Sequence, residues 1–130
     1  GPAAGWGAAI GNAIGDTFGG LGPGDVFGFV ANLPANDRFR IITRHGRDEL
    51  VNPQEGYLGV TYSPGIVFIQ VTWNSGRSVE VKKAFYRAVA EGIADKAGLR
   101  IQDVWISLID VAREDWSFGN GDMQYAPKPA

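Results

Sequence analysis

The most regular hydrophobic pattern along the chain is a strand-helix-strand pattern between residues 66 and 111. "IVFIQVTW" at 66–73 is β-branched, aromatic and almost wholly apolar, which predicts a buried central strand. "DVWISLIDV" at 103–111 has the same character and predicts a second buried strand. Two buried strands joined by a helix favour a parallel pair with a right-handed crossover.

The segment between these strands carries the signals of an amphipathic helix with defined ends. The "NSGR" connection at 74–77 is short, and Ser78 after it can cap a helix whose first turn contains Glu80. Gly98 is placed to stop that helix. The charged residues on the outer face are predicted to be solvated; they are Lys82, Lys83, Glu91 and Asp95. The inner face is predicted to be the apolar stripe Val81, Phe85, Ala88, Val89 and Ile93.

The pattern before residue 66 is weaker. "FRIITR" at 39–44 alternates and predicts a strand, whereas 52–65 is rich in turn formers and predicts a loop. In residues 1–32 glycine recurs every four positions, at Gly7, Gly11, Gly15 and Gly19. On a helix this spacing would make a glycine ridge, which could pack closely in a membrane. The alternative is a loosely ordered helix or one that tertiary contacts support. Weak hydrophobicity and an internal aspartate argue against a membrane span.

Composition narrows the possible functions. The 130 residues fit a single domain, 1–130, and a net charge of -2 argues against a nucleic-acid partner. The absence of cysteine and the single histidine, His45, exclude cysteine-ligated zinc and histidine-rich metal sites. We therefore expect no metal site of these kinds. No basic segment precedes an apolar run, so we expect a cytoplasmic protein without a membrane partner.

Candidate chemistry lies where the first buried strand meets the helix. Arg77 stands between the strand at 66–73 and the Ser78 cap, where backbone N–H groups and a guanidinium could bind a carboxylate or phosphate. The alternative is a solvated loop arginine. Asp37 follows a Pro-Ala-Asn turn and either caps its own backbone or takes part in catalysis. His45 could titrate near neutral pH, but a surface or hydrogen-bonded histidine is the commoner case.

Three aromatic residues occupy the last loop, "REDWSFGNGDMQY" at 113–125. Trp116, Phe118 and Tyr125 surround a glycine-rich turn. Beside Arg77 they would lower the local dielectric and strengthen its attraction for an anion. Alternatively, Trp116 and Phe118 extend the sheet core or pack on a neighbouring subunit.

These motifs together resemble a known family. The "GRS" before the helix, the "DWSFG" after the last strand and the segment "LPANDRFRIITRH" resemble malonate semialdehyde decarboxylase-like members of the tautomerase superfamily. The resemblance covers roughly residues 33–126. It implies an α/β (α+β) fold of two β-α-β units, which form a four-stranded sheet with two helices on one face. The first unit would lie before residue 50 and the second after residue 65. It also implies a homotrimer.

The resemblance implies a cofactor-independent mechanism on a small carboxylate substrate. In the family, an N-terminal proline amine acts as general base or acid in keto–enol tautomerisation, decarboxylation of a β-keto acid or hydration of an unsaturated acid. Arg77 matches the arginine that binds the carboxylate, and Asp37 matches the aspartate that positions or activates water. Trp116 and Phe118 match the aromatic wall of the pocket, and Tyr125 extends it.

The chain departs from the family pattern at two places. Ser75 stands where some decarboxylases have a second arginine, which weakens the case for decarboxylation. Counted back from Asp37 without gaps, the family's terminal proline falls on Gly1, and Pro2 is one position later. If Gly1 is retained, the Pro2 nitrogen is an amide and cannot be a base. If Gly1 is absent, Pro2 has a free amine whose pKa burial and Arg77 would lower from near 8.

Two hypotheses follow from these residues. The first is an enzyme of the tautomerase superfamily that acts on a small 2-oxo or unsaturated carboxylic acid. Its catalytic residues would be Pro2, Asp37 and Arg77, and its substrate-binding residues would include Trp116, Phe118 and Tyr125. The second is a non-catalytic binding or scaffold subunit with the same fold and a blocked proline.

Overall fold

A computed structural model describes residues 39–129, and its regular structure is one β-α-β unit followed by a long terminal loop. We number the elements β1, α1 and β2 in chain order. They span Val67–Asn74, Val79–Ala97 and Val104–Val111, and single-turn 3-10 helices occupy Ile101–Asp103 and Arg113–Asp115. The predicted order of strand, helix and strand is therefore confirmed, with each strand beginning one residue later than predicted.

The two strands are parallel and pair along their whole length. The register runs from Val67 opposite Val104 to Asn74 opposite Val111. One backbone hydrogen bond continues the pairing beyond the strands, from Ser75 N to Val111 O at 2.8 Å. Both strands therefore end at the same edge of the sheet, and the segments that follow them lie side by side there.

Helix α1 has the ends that the sequence predicts. The Oγ of Ser78 accepts a hydrogen bond from Val81 N at 3.2 Å and so satisfies one of the first N–H groups of the helix. At the other end, Gly98 is left-handed with φ of 68°, and its N–H bonds the Ala94 carbonyl. Because glycine has no Cβ, this conformation costs it little and the chain can turn towards β2.

The core lies between α1 and one face of the sheet. The predicted stripe of α1 is buried as expected: Phe85, Val89 and Ile93 are fully buried, and Val81 and Ala88 are partly buried. The ring of Phe85 packs against Trp73, with 4.8 Å between ring centroids. The buried cluster consists of Val71, Trp73, Phe85, Val89, Ile93 and Leu99.

The opposite face of the sheet is open within the described residues. Burial alternates along β1, and Phe68 is exposed, as are Trp105 and Ile109 of β2. The rings of Phe68 and Trp105 stack there with centroids 4.5 Å apart. Within the described residues the two strands are therefore buried on one face, the face that packs against α1. A strand is buried on both faces only when a layer covers each face, and here α1 covers one.

The predicted strand at 39–44 is wrong. These residues have no regular secondary structure, and Phe39 and Ile41 are 77% and 91% exposed. An alternating pattern forms a strand only where a neighbouring strand accepts its hydrogen bonds and a core covers its apolar face, and no described segment does either. The predicted loop at 52–65 is confirmed as turns with one isolated bridge, between Tyr57 and Val60.

A buried carboxylate that the sequence analysis did not single out holds this loop to the start of the sheet. Asp103 is 2% exposed. It accepts hydrogen bonds from the backbone N of Ser63 at 2.8 Å and from the Ser63 hydroxyl, and an Arg100 nitrogen lies 3.8 Å from it. These donors satisfy a charge that would otherwise be costly to bury.

Several predictions lie outside the described residues. Pro2, Asp37 and the glycine ridge are among them, and so is almost all of the first β-α-β unit. The expected total of four strands is therefore neither observed nor contradicted. Between residues 39 and 129, no helix has the length and apolar character that crossing a membrane requires.

Candidate active site

Arg77 lies at the carboxyl edge of the strand pair, between the end of β1 and the cap of α1. Its Nη1 donates a hydrogen bond to the carbonyl oxygen of Asn74 at 2.7 Å. Its guanidinium carbon lies 4.2 Å from the centre of the Trp73 ring, which is a favourable cation–π arrangement. The side chain is partly buried, which distinguishes it from the fully solvated loop arginine of the alternative.

The surroundings of Arg77 affect its charge in two opposing ways. Burial lowers the pKa of the guanidinium from its usual value, and the negative charge of Asp110 partly offsets that effect. An arginine nevertheless remains charged in proteins. A guanidinium that is already partly desolvated attracts a carboxylate more strongly than one in water does, and it can bind both carboxylate oxygens.

The aromatic residues of the terminal loop form a cluster that also includes Phe39. The rings of Trp116 and Phe118 stack with centroids 5.4 Å apart, and Tyr125 meets Phe118 edge-on at 5.4 Å. The ring of Phe39 also stacks with that of Phe118, with centroids 5.8 Å apart. The sequence pattern predicts a strand at Phe39 and gives no sign of this contact, because only the fold brings residues 39 and 118 together.

Asn74 connects the aromatic cluster to Arg77. Its side-chain Oδ1 accepts a hydrogen bond from the indole N–H of Trp116 at 2.6 Å, and its backbone oxygen accepts the bond from Arg77. The structure therefore brings Arg77 together with Trp116, and through Trp116 with Phe118 and Tyr125. Phe118 and Tyr125 are exposed, and none of the three loop aromatics belongs to the buried core. The alternative in which the loop extends the sheet core is wrong within the described residues.

A charged network binds the indole N–H of Trp73. The indole N–H of Trp73 donates to Asp110 Oδ1 at 2.6 Å, and Lys82 Nζ lies 2.7 Å from Asp110 Oδ2. The hydrogen bond from Lys82, and then that from Trp73, hold the pKa of Asp110 below its usual value. The prediction that Lys82 is simply solvated is wrong, because its position on α1 faces the end of β2.

The other charged residues in question lie on the surface, as predicted. Lys83, Glu91 and Asp95 are exposed, and Glu91 pairs with Arg87 one turn away at 3.6 Å. His45 is also exposed and shares a hydrogen bond with the Thr43 hydroxyl at 2.8 Å. None of these four residues contacts Arg77 through the hydrogen bonds and ion pairs described here, so we assign them no role at the Arg77 site.

An open cleft of about 600 Å³ lies beside the cluster. Asn74 and Tyr125 belong to both features, so the cleft adjoins the aromatic cluster, but Arg77, Trp116 and Phe118 do not line it. The remaining lining residues are Ser75, Ala112, Arg113, Glu114, Gln124, Ala126, Pro127 and Lys128. Among residues 39–129, no cluster of three or more histidine, cysteine or acidic side chains could hold a metal ion.

Comparison with known proteins points to one family. Residues 37–119 match the family described as tautomerase enzyme. The chain is 38% identical over 93 residues to the probable tautomerase YusQ of Bacillus subtilis (strain 168). The matched residues make up 72% of this chain and 72% of the relative. It is 32% identical over 94 residues to the probable tautomerase YrdN of the same organism, covering 72% of this chain and 71% of the relative.

Solved structures give the same result. A crystal structure of FG41 malonate semialdehyde decarboxylase inhibited by 3-bromopropiolate matches with a TM-score of 0.72 and 33% identity, over 92% of this chain and 83% of that chain. A second malonate semialdehyde decarboxylase, described with decarboxylase and hydratase activities, matches with a TM-score of 0.65 and 27% identity. The match covers 95% of this chain and 84% of that chain. A member of the cis-3-chloroacrylic acid dehalogenase family shares the fold, with a TM-score of 0.57 and 16% identity.

Proposed function

Because the chain belongs to the tautomerase superfamily, we propose that it catalyses proton transfer in a small 2-oxo or unsaturated carboxylic acid. The observation that carries this proposal is the partly buried Arg77, held on the ring of Trp73 beside the aromatic cluster. A fixed cation beside apolar rings suits a small molecule that has a carboxylate at one end and a planar carbon framework at the other.

In this proposal Arg77 binds the substrate carboxylate and the loop aromatics cover the rest of the molecule. Trp116 is fixed by Asn74, so the nearest wall of the pocket has a defined position. Phe118 and Tyr125 remain exposed on its outer side, where a substrate or another subunit could cover them. Excluding water there would strengthen the ion pair and keep the substrate carbonyl oriented for proton transfer.

The proton transfer itself is assigned to Pro2. As a free secondary amine, Pro2 would take the proton from the carbon next to the substrate carbonyl and return it to the oxygen, which converts keto form to enol without a cofactor. Asp37 would position the reacting groups or a water molecule. Both roles rest on the resemblance to the family. To take up and return a proton, the Pro2 amine needs a pKa near neutral pH.

Tautomerisation is the reaction that we favour. The related malonate semialdehyde decarboxylases make decarboxylation and hydration the next candidates. Ser75 places a hydroxyl, not a second cation, two residues before Arg77. A single arginine is sufficient to bind one carboxylate during tautomerisation. The second arginine that some decarboxylases have is absent from this chain, so we rank decarboxylation lower.

We also propose that three copies assemble into a homotrimer in the cytoplasm. The open apolar sheet face with Phe68, Trp105 and Ile109 supports an assembly, since a large exposed apolar patch often marks an interface. A single-chain mass in sedimentation equilibrium would contradict the trimer. Fractionation of the source cells would check the location.

The test of the proposed function is the ketonisation of phenylpyruvate enol, measured alongside the intact mass of the protein. A chain that begins at Pro2 should turn over the enol, and Pro2→Ala should lower kcat/KM by about 10- to 100-fold, since a less rigidly held primary amine replaces the cyclic secondary amine as general base. Pro64→Ala, at an exposed loop proline, is the matched control. No turnover by a chain beginning at Pro2 would instead support the non-catalytic alternative.

A further inference from the structure

We propose that Lys82 is a positioning residue for the anion site, because its ammonium group neutralises Asp110 and keeps that carboxylate from competing with substrate for Arg77. This inference rests on the proposed function in one respect: Arg77 must bind an anion. It assigns a role to a lysine that does not itself touch the substrate.

The first support is the position of Asp110 in the sheet. Asp110 lies directly opposite Trp73 in the register of β1 and β2. Paired residues of neighbouring strands point to the same face, so both side chains project towards α1. Each oxygen of Asp110 has a separate donor, the indole of Trp73 at 2.6 Å and the ammonium of Lys82 at 2.7 Å.

The second support is the placement of Lys82 by the helix. Lys82 and Phe85 are three residues apart on α1 and therefore lie on the same face. Phe85 is fully buried against Trp73, which fixes the rotation of the helix about its axis. The Ser78 cap fixes where the helix begins. Lys82 is thus directed at Asp110 by the same packing that builds the core.

The third support is the proximity of this network to Arg77. Trp73 is shared: its N–H bonds Asp110 and its ring lies 4.2 Å from the guanidinium carbon of Arg77. Burial lowers the pKa of Arg77, and the nearby charge of Asp110 acts in the opposite direction with the smaller effect. Without Lys82, the surroundings of Arg77 would become more negative by one unit charge, and Asp110 would attract the guanidinium in place of a substrate carboxylate.

A purely structural role for the Lys82–Asp110 pair makes a different prediction. If the pair only stabilised the fold, removing both charges should be at least as harmful to the site as removing one. If Lys82 acts by neutralising Asp110, removing both charges should restore the site. Asparagine is suited to the second substitution because its Oδ1 can still accept the hydrogen bond from Trp73.

The experiment measures kcat and KM for phenylpyruvate enol, and the inhibition constant of benzoate as an unreactive carboxylate. Lys82→Met should raise KM and the benzoate inhibition constant by about three- to tenfold, with kcat within about twofold of wild type. The increase should shrink at high salt, because screening weakens the effect of an exposed charge. Adding Asp110→Asn to Lys82→Met should return both constants to within about twofold of wild type.

Lys83→Met is the matched control, since Lys83 is exposed on the next position of the same helix. Thermal unfolding of each variant checks that the fold is retained. Unchanged benzoate binding in Lys82→Met, or a double variant as weak as the single one, overturns the inference. If Arg77→Ala also leaves benzoate binding unchanged, the proposed function fails at its anion site. If Arg77→Ala alone weakens binding, only the role of Lys82 fails.

Discussion

Asp110 accepts hydrogen bonds through both carboxylate oxygens, so its protonation should affect the stability of the fold. Lys82 and Trp73 both bind the ionised form, and together they lower the pKa of Asp110 in the folded protein. A lowered pKa means that the folded state favours the charged carboxylate more than the unfolded chain does. The resulting stability is fully present above the unfolded pKa, near 4, and is lost as the pH falls through the lower pKa of the folded state.

The corresponding prediction concerns Asp110→Asn. At neutral pH the variant should be less stable than wild type by less than about 1 kcal/mol, because both partners of the ion pair are partly exposed. The difference should shrink as the pH falls below about 4, since the wild-type carboxylate then takes up a proton. Urea unfolding at several pH values measures both quantities. A difference that stays constant down to about pH 2 would show that the effect does not depend on charge.

The residues that sequence analysis missed share one cause. Asp103, Asp110 and Lys82 each act through a partner far away in sequence: Ser63 lies 40 residues from Asp103, and Lys82 lies 28 from Asp110. No local spacing indicates such a contact. The register of β1 and β2 determines it for Asp110, and that register follows from the packing of the whole sheet against α1.

At the scale of single elements, the stability of α1 depends on the glycine at its C-terminal end. Gly98 adopts φ of 68°, and a Cβ built there meets no atom within 4 Å. Any cost of substitution should therefore come from the backbone rather than from crowding. Residues with a Cβ disfavour this left-handed conformation, although asparagine tolerates it better than alanine does.

We therefore predict that Gly98→Ala destabilises the protein by about 1 kcal/mol and that Gly98→Asn destabilises it less. Thermal unfolding of the two variants gives the comparison. Equal loss in both, or none in Gly98→Ala, would mean that the turn after α1 relaxes to another conformation.

Local pattern predicted the elements whose partners are near in sequence. Residues 66–73 and 103–111 are rich in β-branched and aromatic residues, and the helix between them has both capping signals. Both strands begin within one residue of their predicted starts, and the helix begins directly after its predicted cap at Ser78. Residues 39–44 show why the same method fails elsewhere, because their alternation shows only that they could form a strand. Whether a strand forms depends on a partner that the pattern does not contain.

At the scale of the whole molecule, the site is assembled from segments that are separated along the chain but meet at one edge of the sheet. Trp116 reaches Asn74 across 42 residues, and Phe39 reaches Phe118 from the opposite end of the described chain. The sequence predicted Arg77 from its position before a helix cap, and the family resemblance supplied the aromatic residues. The contact through Asn74 that joins them emerges only from the parallel pairing of β1 and β2.

The open sheet face also belongs to this scale. Phe68 and Trp105 stack on each other there, on the side of the sheet that α1 does not cover. The apolar character of both strands led to the prediction that they are buried. In the described part of the chain these side chains are exposed, and the trimer proposed above would bury them between copies.

The central claim is that Arg77 binds the carboxylate of a substrate whose proton the protein transfers. The most direct test is kcat/KM for phenylpyruvate enol in wild type, Arg77→Ala and Arg87→Ala, the last being an arginine paired with Glu91 on the exposed side of α1. Loss of a charge-assisted contact should lower kcat/KM of Arg77→Ala by about 10- to 150-fold and leave Arg87→Ala near wild type. An Arg77→Ala variant that folds and retains wild-type kcat/KM would contradict the account.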